Sequence, residues 1–537
     1  VPEGSQRALV AHFLRAHLRV ALAWSAAFAI VCASSITGYA SAYPHAAERV
    51  RFAHSVERSG GLQAVFGLAR RLDTLAGFVA WRTLAFLPLV AGIWGLLAVT
   101  RTLRGEEEDG RWEVLLGAPL SPGRATLLAV TGLVACAAIV CIGTAAALVL
   151  VGTLAYGMPL AGSLYLALAL SLAAVVFIAL GALAAELASS RRLAVAAGAT
   201  AFGLAFVVRV AADSSPRLDW LRWITPLGWI EELRPLTGAQ PLVLVPIAAL
   251  CAGSVGLAVA MAGRRDLGTG LIRARAEARP RPLLLRSATA QALRGLRGGA
   301  LGWAFGLGAT GLFFGLIAKS VARVAATSGG LRRAAGHYGG VNVASAAGYL
   351  GLIFLFVVAA VCVYAANHAA HTREEEACGR LDALLAAPLT RASWLRGRLT
   401  VSLLCLTLAT LSAALLCWAG AAVQSSGVGL DGMLEAALNA LALGVLFLGL
   451  GTLAFGLAPR LTSPIALGLV AGTFLLEMVG SAVKAPRWLL EASPFHHLSL
   501  APASALDWTG LAVMAAGGVA AALAGIFAFT RRDVVET

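Results

Sequence analysis

Twelve stretches of about twenty apolar residues, the length that crosses a bilayer as a helix, dominate this 537-residue chain. They lie near 20–42, 78–100, 125–152, 159–185, 193–212, 241–262, 301–322, 345–367, 397–423, 432–458, 461–482 and 508–530. Backbone amides and carbonyls inside a bilayer must be satisfied within the segment, so runs of this length are helices. The expected fold is therefore an all-α polytopic membrane protein of about twelve transmembrane helices. Composition agrees: 59% of residues are hydrophobic and only 13% are charged, against roughly 25% charged in soluble domains. Arg7, Arg15 and Arg19 followed by a long apolar run resemble a signal sequence, but the run exceeds an h-region of about 7–15 residues. It reads as a span that is kept.

The net charge of +15 does not point to nucleic acid, because the arginines cluster between apolar runs, where membrane orientation accounts for them. Residues 264–297 carry nine arginines against two acids, the strongest cytoplasmic signal in the chain. With that loop inside, both termini and the loops after helices two, four, eight and ten are cytoplasmic too. The expected location is a bacterial plasma membrane. Seven of the eight cysteines fall within apolar runs and none forms a CxxC pair, so they read as small buried residues. Adjacent His496 and His497 point about 100° apart on a helix without a carboxylate or cysteine to join them, so no metal site is expected.

A short polar passage occurs twice. Residues 106–121 read EEEDGRWEVLLGAPLS and residues 375–390 read EEACGRLDALLAAPLT, with nine of sixteen positions identical. A second echo pairs the Pro216-Arg217 to Thr225-Pro226-Leu227-Gly228-Trp229 stretch with Pro486-Arg487 to Ser493-Pro494-Phe495-His496-His497. Both proline-broken stretches read as re-entrant or interfacial helices on the outer side, where Trp220, Trp223, Trp229 and Trp488 suit the boundary. The chain is thus expected to comprise a six-helix half at 1–263, a basic cytoplasmic linker with an elbow helix at 264–298, and a second six-helix half at 299–537. Ser5–Arg19 reads as the corresponding first elbow helix. Six crossings separate the two acidic passages, which places both on one membrane face.

In each passage the acids are expected to open a short helix, where the positive end of the macrodipole favours them. Trp112, Leu115 and Leu116, and in the copy Leu381, Leu384 and Leu385, share one helical face. Pro119 and Pro388 end the helix, and Ser121 and Thr390 cap the next one. A short helix with an exposed apolar stripe and a fixed charge pattern reads as a docking surface for a partner protein.

The pattern E-E-x-x-G-R-x-[ED]-x-L-L-x-x-P-L-[ST], between the second and third helices of a six-helix unit, resembles that of ABC-2-type exporter permeases. The fused twelve-helix layout, with its Thr-Pro-Leu-Gly-Trp and Ser-Pro-Phe-His-His stretches, is similar to permeases described as tetronasin or polyketide-antibiotic exporters. The resemblance implies that this loop is the coupling helix that docks on an ATP-binding subunit. It carries that role to Glu106, Glu107, Gly110, Arg111, Glu113, Leu116 and Pro119, and to Glu375, Glu376, Gly379, Arg380, Asp382, Leu385 and Pro388. It implies two copies of a separate ATPase, which hold ATP and Mg, and export of hydrophobic drugs or antibiotics. The chain lacks G-x-x-x-x-G-K-[ST]; the nearest text, Gly315 to Ser320, has no glycine before Lys319. It is accordingly expected to be no enzyme by itself. Alternatives are an exporter of lipids or envelope glycolipids and an ion-coupled secondary transporter, for which only Glu477 suits a midplane carboxylate.

In that family the second and fifth helices of each half line the cargo cavity, which nominates Phe86, Trp94, Phe202, Phe206, Phe354, Phe356, Phe474 and Glu477. For any one of these aromatic residues, core packing is the simpler role. For Arg82 and Glu186, polar residues near span ends, snorkelling to the interface is expected.

Overall fold

The computed structural model describes residues 3–58, 62–63, 66–117, 119–214, 216–266, 268, 270, 287–327, 344–386, 388–482 and 486–533. Among them are twelve helices long and apolar enough to cross a membrane, and no strand. Most of the 264–298 linker lies outside the described residues, as do Ser215, Ala485 and most of the loop at 323–344. The chain forms two compact units, Val1–Ala278 and Arg279–Thr537.

In the first unit, α1 is one continuous helix, Glu3–Ala42. At about 1.5 Å per residue it is some 60 Å long, twice a hydrocarbon core, so the expected elbow is not a separate helix but the N-terminal part of the same helix. After α2 (Ala46–Glu57) comes α3 (Leu75–Thr100), which runs on through a π-helical turn, Arg101–Gly105, to Glu108. The short α4 (Arg111–Leu116) follows. Then come α5 (Pro122–Ala147), α6 (Leu160–Leu187), α7 (Arg191–Ser214), α8 (Pro226–Glu232) and α9 (Leu244–Ala262).

The second unit repeats this order. Its helices are α10 (Ala288–Thr327), α11 (Ala346–Ala377), the short α12 (Arg380–Leu385) and α13 (Arg391–Val423). They continue with α14 (Leu430–Leu457), α15 (Thr462–Ala482), α16 (Arg487–Glu491) and α17 (Trp508–Arg531). The closely spaced spans 432–458 and 461–482 are indeed two helices, separated by a single 3-10 turn, Pro459–Leu461.

In both units the first span packs on the third and the second on the fourth: α1 on α5 and α3 on α6 in the first, α10 on α13 and α11 on α14 in the second, where α14 also packs closely on α17. In lipid such contacts depend on close van der Waals approach at small residues. A Cβ at Gly449 would stand 2.0 Å from the Gly518 carbonyl oxygen, so only glycine allows that α14–α17 crossing. The outward faces keep exposed leucines, valines and phenylalanines, such as Leu301, Phe305 and Leu404, as a lipid-facing surface requires.

Candidate functional site

Each acidic passage ends a span rather than opening a helix. Glu106–Glu108 continue the α3 span, and Glu374, Glu375 and Glu376 lie in the last turn of α11. Carboxylates at that negative end of the macrodipole are disfavoured, so their retention requires cations, and the structure supplies them.

Glu107 is 5% exposed. Arg265 donates to it with both terminal nitrogens, at 2.8 and 2.7 Å. Arg104 adds a third bond at 2.8 Å and the Gly268 N–H a fourth, also at 2.8 Å. The counterpart Glu376 is fully buried. Arg532 holds it with two bonds of 2.6 and 2.8 Å, and Arg373 stands 3.2 Å away. Arg265 and Arg532 occupy the same place, just past the sixth span of their unit, each as the second residue of Arg-Arg-Asp (264–266 and 531–533). Each unit thus ties the end of its second span to the end of its sixth through a bidentate glutamate–arginine pair, the strongest geometry available to these groups.

The cages differ in one member. Arg265 also donates to Glu186, whose side chain is 2% exposed. The expected snorkelling of Glu186 is therefore wrong: it is an interior counter-ion, as Arg265 brings a second cationic edge to it. Burial would disfavour charge on Arg265, but its hydrogen bonds and attraction to Glu107 and Glu186 raise its pKa above the ordinary guanidinium value. Where the first unit has Glu186 the second has Phe455, and Arg532 lies over the rings of Phe455 and Phe529, 5.0 and 5.1 Å from their centres.

Past the cage the chain reverses on a glycine. Gly110 and Gly379 have φ of 74° and 67°, the left-handed region that other residues enter at a cost of about 1 kcal/mol or more. This is why the two passages share glycine here. The short α4 and α12 follow at once. Their apolar stripe is turned inward rather than exposed. Trp112 is 5% exposed and its indole N–H donates to the Thr102 carbonyl at 2.9 Å. Leu381 is fully buried among Trp394, Leu395, Phe455 and Phe529, with Leu384 and Leu385 packed against that cluster; Leu115 and Leu116 are half-buried.

What α4 offers to solvent is Arg111, Glu113 and Val114, the last 83% exposed. Arg111 pairs with Asp109 at 3.1 Å and approaches Glu106 at 3.9 Å. In the second unit Cys378, Arg380, Asp382 and Pro388 are exposed, while Glu375 contacts Arg398. Glu108 accepts from the Arg191 backbone N–H at 2.7 Å, at the start of α7 where the helix dipole favours it. Pro119 and Pro388 follow the short helices. Thr390 caps α13 through the Ser393 N–H at 3.2 Å, but Ser121 makes no side-chain cap.

Of the residues nominated for a cargo cavity, only Phe356 and Phe474 are in ring contact with one another among the described residues. Trp94 and Phe354 are buried in their unit's core. Phe202 packs on Phe177, with ring centres 4.8 Å apart, and Phe86 meets Phe66 at 5.0 Å. Phe206 is half-buried. Phe356, 51% exposed, touches Phe474 at 5.7 Å, and Phe474 reaches Phe495 at 5.4 Å. Glu477 lies 3.3 Å from His496, a link between α15 and the proline-broken stretch after it.

Sequence reasoning missed the arginines of the cages and the role of Arg209. The Arg-Arg-Asp pair was a readable signal, hidden in a basic linker on one side and a chain end on the other. Arg209 is 4% exposed and belongs to a second buried cluster, with Asp213 at 3.4 Å and Glu231 at 3.2 Å. Arg222 extends that cluster from the proline-broken stretch, donating to Asp213 at 2.7 Å.

Residues 285–530 match the family described as Multidrug efflux system permease Rv1217c, C-terminal domain. The chain is also similar to the Multidrug efflux system permease protein Rv1217c of Mycobacterium tuberculosis, 30% identical over 505 residues, which are 93% of this chain and 89% of that protein. With its twelve apolar helices, this multi-pass membrane protein belongs to the family of multidrug efflux system permeases.

Proposed function

We propose that the chain is the membrane permease of an ATP-binding-cassette exporter that moves hydrophobic drugs out of the cell, driven by two copies of a separate ATP-binding subunit. The observation that carries this reading is the duplicated device of cage, left-handed glycine and short helix. A short helix clamped to two spans of its unit converts a push on its exposed side into movement of those spans, which a solvated loop cannot do. In this reading Arg111, Glu113 and Val114, with Arg380 and Asp382, form the docking faces. Glu106, Glu107, Glu375 and Glu376 hold those faces to the spans, while Gly110, Gly379, Pro119 and Pro388 set their angle. Leu116 and Leu385 seat them. Both termini and both short helices then lie in the cytoplasm, and ATP and Mg belong to the partner. The cargo path follows the second and fifth spans and includes Phe86, Phe356, Phe474 and Glu477.

The test is reconstitution with the ATP-binding partner in proteoliposomes, comparing wild type with Glu113→Arg combined with Asp382→Arg. Both residues are exposed, so folding is expected to survive, while association and drug-stimulated ATPase activity fall at least ten-fold. Unchanged association and transport in the double variant would sink the docking assignment.

A further inference from the structure

The second unit contains a cavity of about 350 Å³ that has no role in the coupling device, although Glu375 and Arg380 of that device reach its rim. Its volume lies at the lower end of the range for small-molecule sites, about 300–1,000 Å³. One wall is the start of α10, where Gly295 and Gly299 leave open space: no atom lies within 4 Å of a Cβ built on either. The opposite wall is a face of α11. Tyr364, Asn367, His368, His371, Glu374 and Glu375 line it, and their spacing of three and four places them on one helical stripe.

That stripe has no echo. At the matching positions, 269 residues earlier, stand Gly95, Ala98, Val99, Thr102, Gly105 and Glu106; only the last is kept. Arg398, which closes the cavity from α13, matches Ala129. The repeat therefore explains the coupling device but not the side chains that line this chamber, which the first unit lacks at all but one of these matching positions.

Its chemistry is specific. Trp303 and Tyr364 form an aromatic pair, with centres 5.1 Å apart and planes tilted by 31°. His368 and Arg398 are 5% and 3% exposed, and each keeps a side-chain nitrogen, Nε2 and Nε, without a hydrogen-bond partner among the described residues. The other His368 nitrogen is 3.1 Å from the Ser402 hydroxyl, which fixes the ring. The two carboxylates are engaged, Glu375 by Arg398 and Glu374 by His371 at 3.2 Å. Orphaned buried nitrogens are costly; the Arg398 Nε–H requires an acceptor oxygen, and so does His368 Nε2 with the Ser402 hydroxyl donating to Nδ1. We propose that this cavity binds a small ring-bearing amphiphile, its ring against Trp303 and Tyr364 and a carboxylate or carbonyl oxygen directed to Arg398 and His368. That the ligand is a cargo of the exporter rests on the permease reading above; that the cavity binds it does not.

The experiment is equilibrium dialysis of 2-naphthoate against the full chain in phosphatidylcholine nanodiscs, without nucleotide or partner, so that a failed coupling assignment leaves the result untouched. Saturable binding at one site per chain is expected, at least ten-fold tighter than for 2-naphthylmethylammonium or for hexanoate. Gly299→Leu, which fills the cavity without a clash at its Cβ, should abolish that site. Gly306→Leu on the same helix, also open at its Cβ but outside the cavity, should leave it unchanged. Equal binding of the ammonium compound, equal binding of hexanoate, or survival of the site in Gly299→Leu overturns the proposal. So does displacement of naphthoate by phosphatidylglycerol in the disc, which would make the chamber a lipid-headgroup site.

Discussion

The two cages make a quantitative prediction because they differ in one carboxylate. Glu376→Gln keeps the shape of the side chain and removes the acid that pairs with Arg532 and Arg373. Removing one partner from a buried ion pair costs about 3–5 kcal/mol, since the surviving charges remain desolvated. The rings of Phe455 and Phe529 return a fraction of that to Arg532, about 0.5–2 kcal/mol, but they already do so in the wild type. Glu107→Gln is milder. Arg265 still holds Glu186, so the loss is that of charge-assisted hydrogen bonds, about 1.5–3 kcal/mol. The second unit should therefore lose about 2 kcal/mol more than the first. For units of this size 1 kcal/mol moves the midpoint by about 2–4 °C, so the difference is about 4–8 °C.

The assay is thermal unfolding of the purified chain in a fixed detergent, read at one heating rate for wild type, Glu107→Gln, Glu376→Gln and Glu107→Gln with Glu186→Gln. The last variant strips the first cage of both acids and should fall to the level of Glu376→Gln. If Glu107→Gln alone is as damaging as Glu376→Gln, or Glu186→Gln adds nothing to it, the compensating role of Glu186 is refuted. If neither single change moves the midpoint, the cages do not hold the helix ends at all.

Gly110→Ala should cost about 1 kcal/mol from backbone strain alone, because no atom lies within 4 Å of its Cβ; drug-stimulated ATPase activity should fall with little change in melting. Trp112→Ala, which empties a buried site and removes the indole hydrogen bond to the Thr102 carbonyl, should cost about 3–5 kcal/mol, measured by the same melts. Cys378 is the exposed cysteine among those described, so maleimide should label it first, Cys378→Ser should remove the fast phase, and the bound ATP-binding subunit should slow it. Burial would raise the pKa of Glu231, but the charge of Arg209, a hydrogen bond with Asp213 and the charge of Arg222 bring it below the ordinary value. Its unfolded pKa is about 4.3, so its contribution is present above that pH and lost as pH falls through the lower folded value. Melting between pH 6 and 3 should show a loss that Glu231→Gln removes.

The twelve spans were legible because a bilayer enforces one length and one polarity, and the duplicated passage was legible because copies can be compared letter by letter. What escaped was direction. A stripe of Trp112, Leu115 and Leu116 has the same spacing whether it faces a partner or its own unit, and only the neighbouring spans decide. The acids misled for a related reason. Their effect on a helix depends on which end they occupy, and no residue marks the junction of α3 and its π-helical turn, since Arg101–Gly105 continues the helix without a break. The glycines at 110 and 379 were the better guide, because a repeated glycine between two helical stretches has one economical explanation, a left-handed turn, and that turn locates the junction.

The departures from symmetry carry information that the repeat cannot. A duplicated unit starts with equal halves, so each position that differs has been free to diverge or has been driven to. At the cage, Glu186 and Phe455 are alternative answers to one requirement, a counterpart for the last arginine, by charge in one unit and by aromatic rings in the other. The polar stripe of α11 is different in kind. Its residues mostly replace small and apolar ones, and among the described residues one of them, His368, with Arg398 of α13, is left with a buried nitrogen without a hydrogen-bond partner. The carboxylates of the cages are paired within their own unit, so the cages belong to the architecture; the chamber is open space lined by side chains that the repeat does not call for, and it belongs to the proposed ligand.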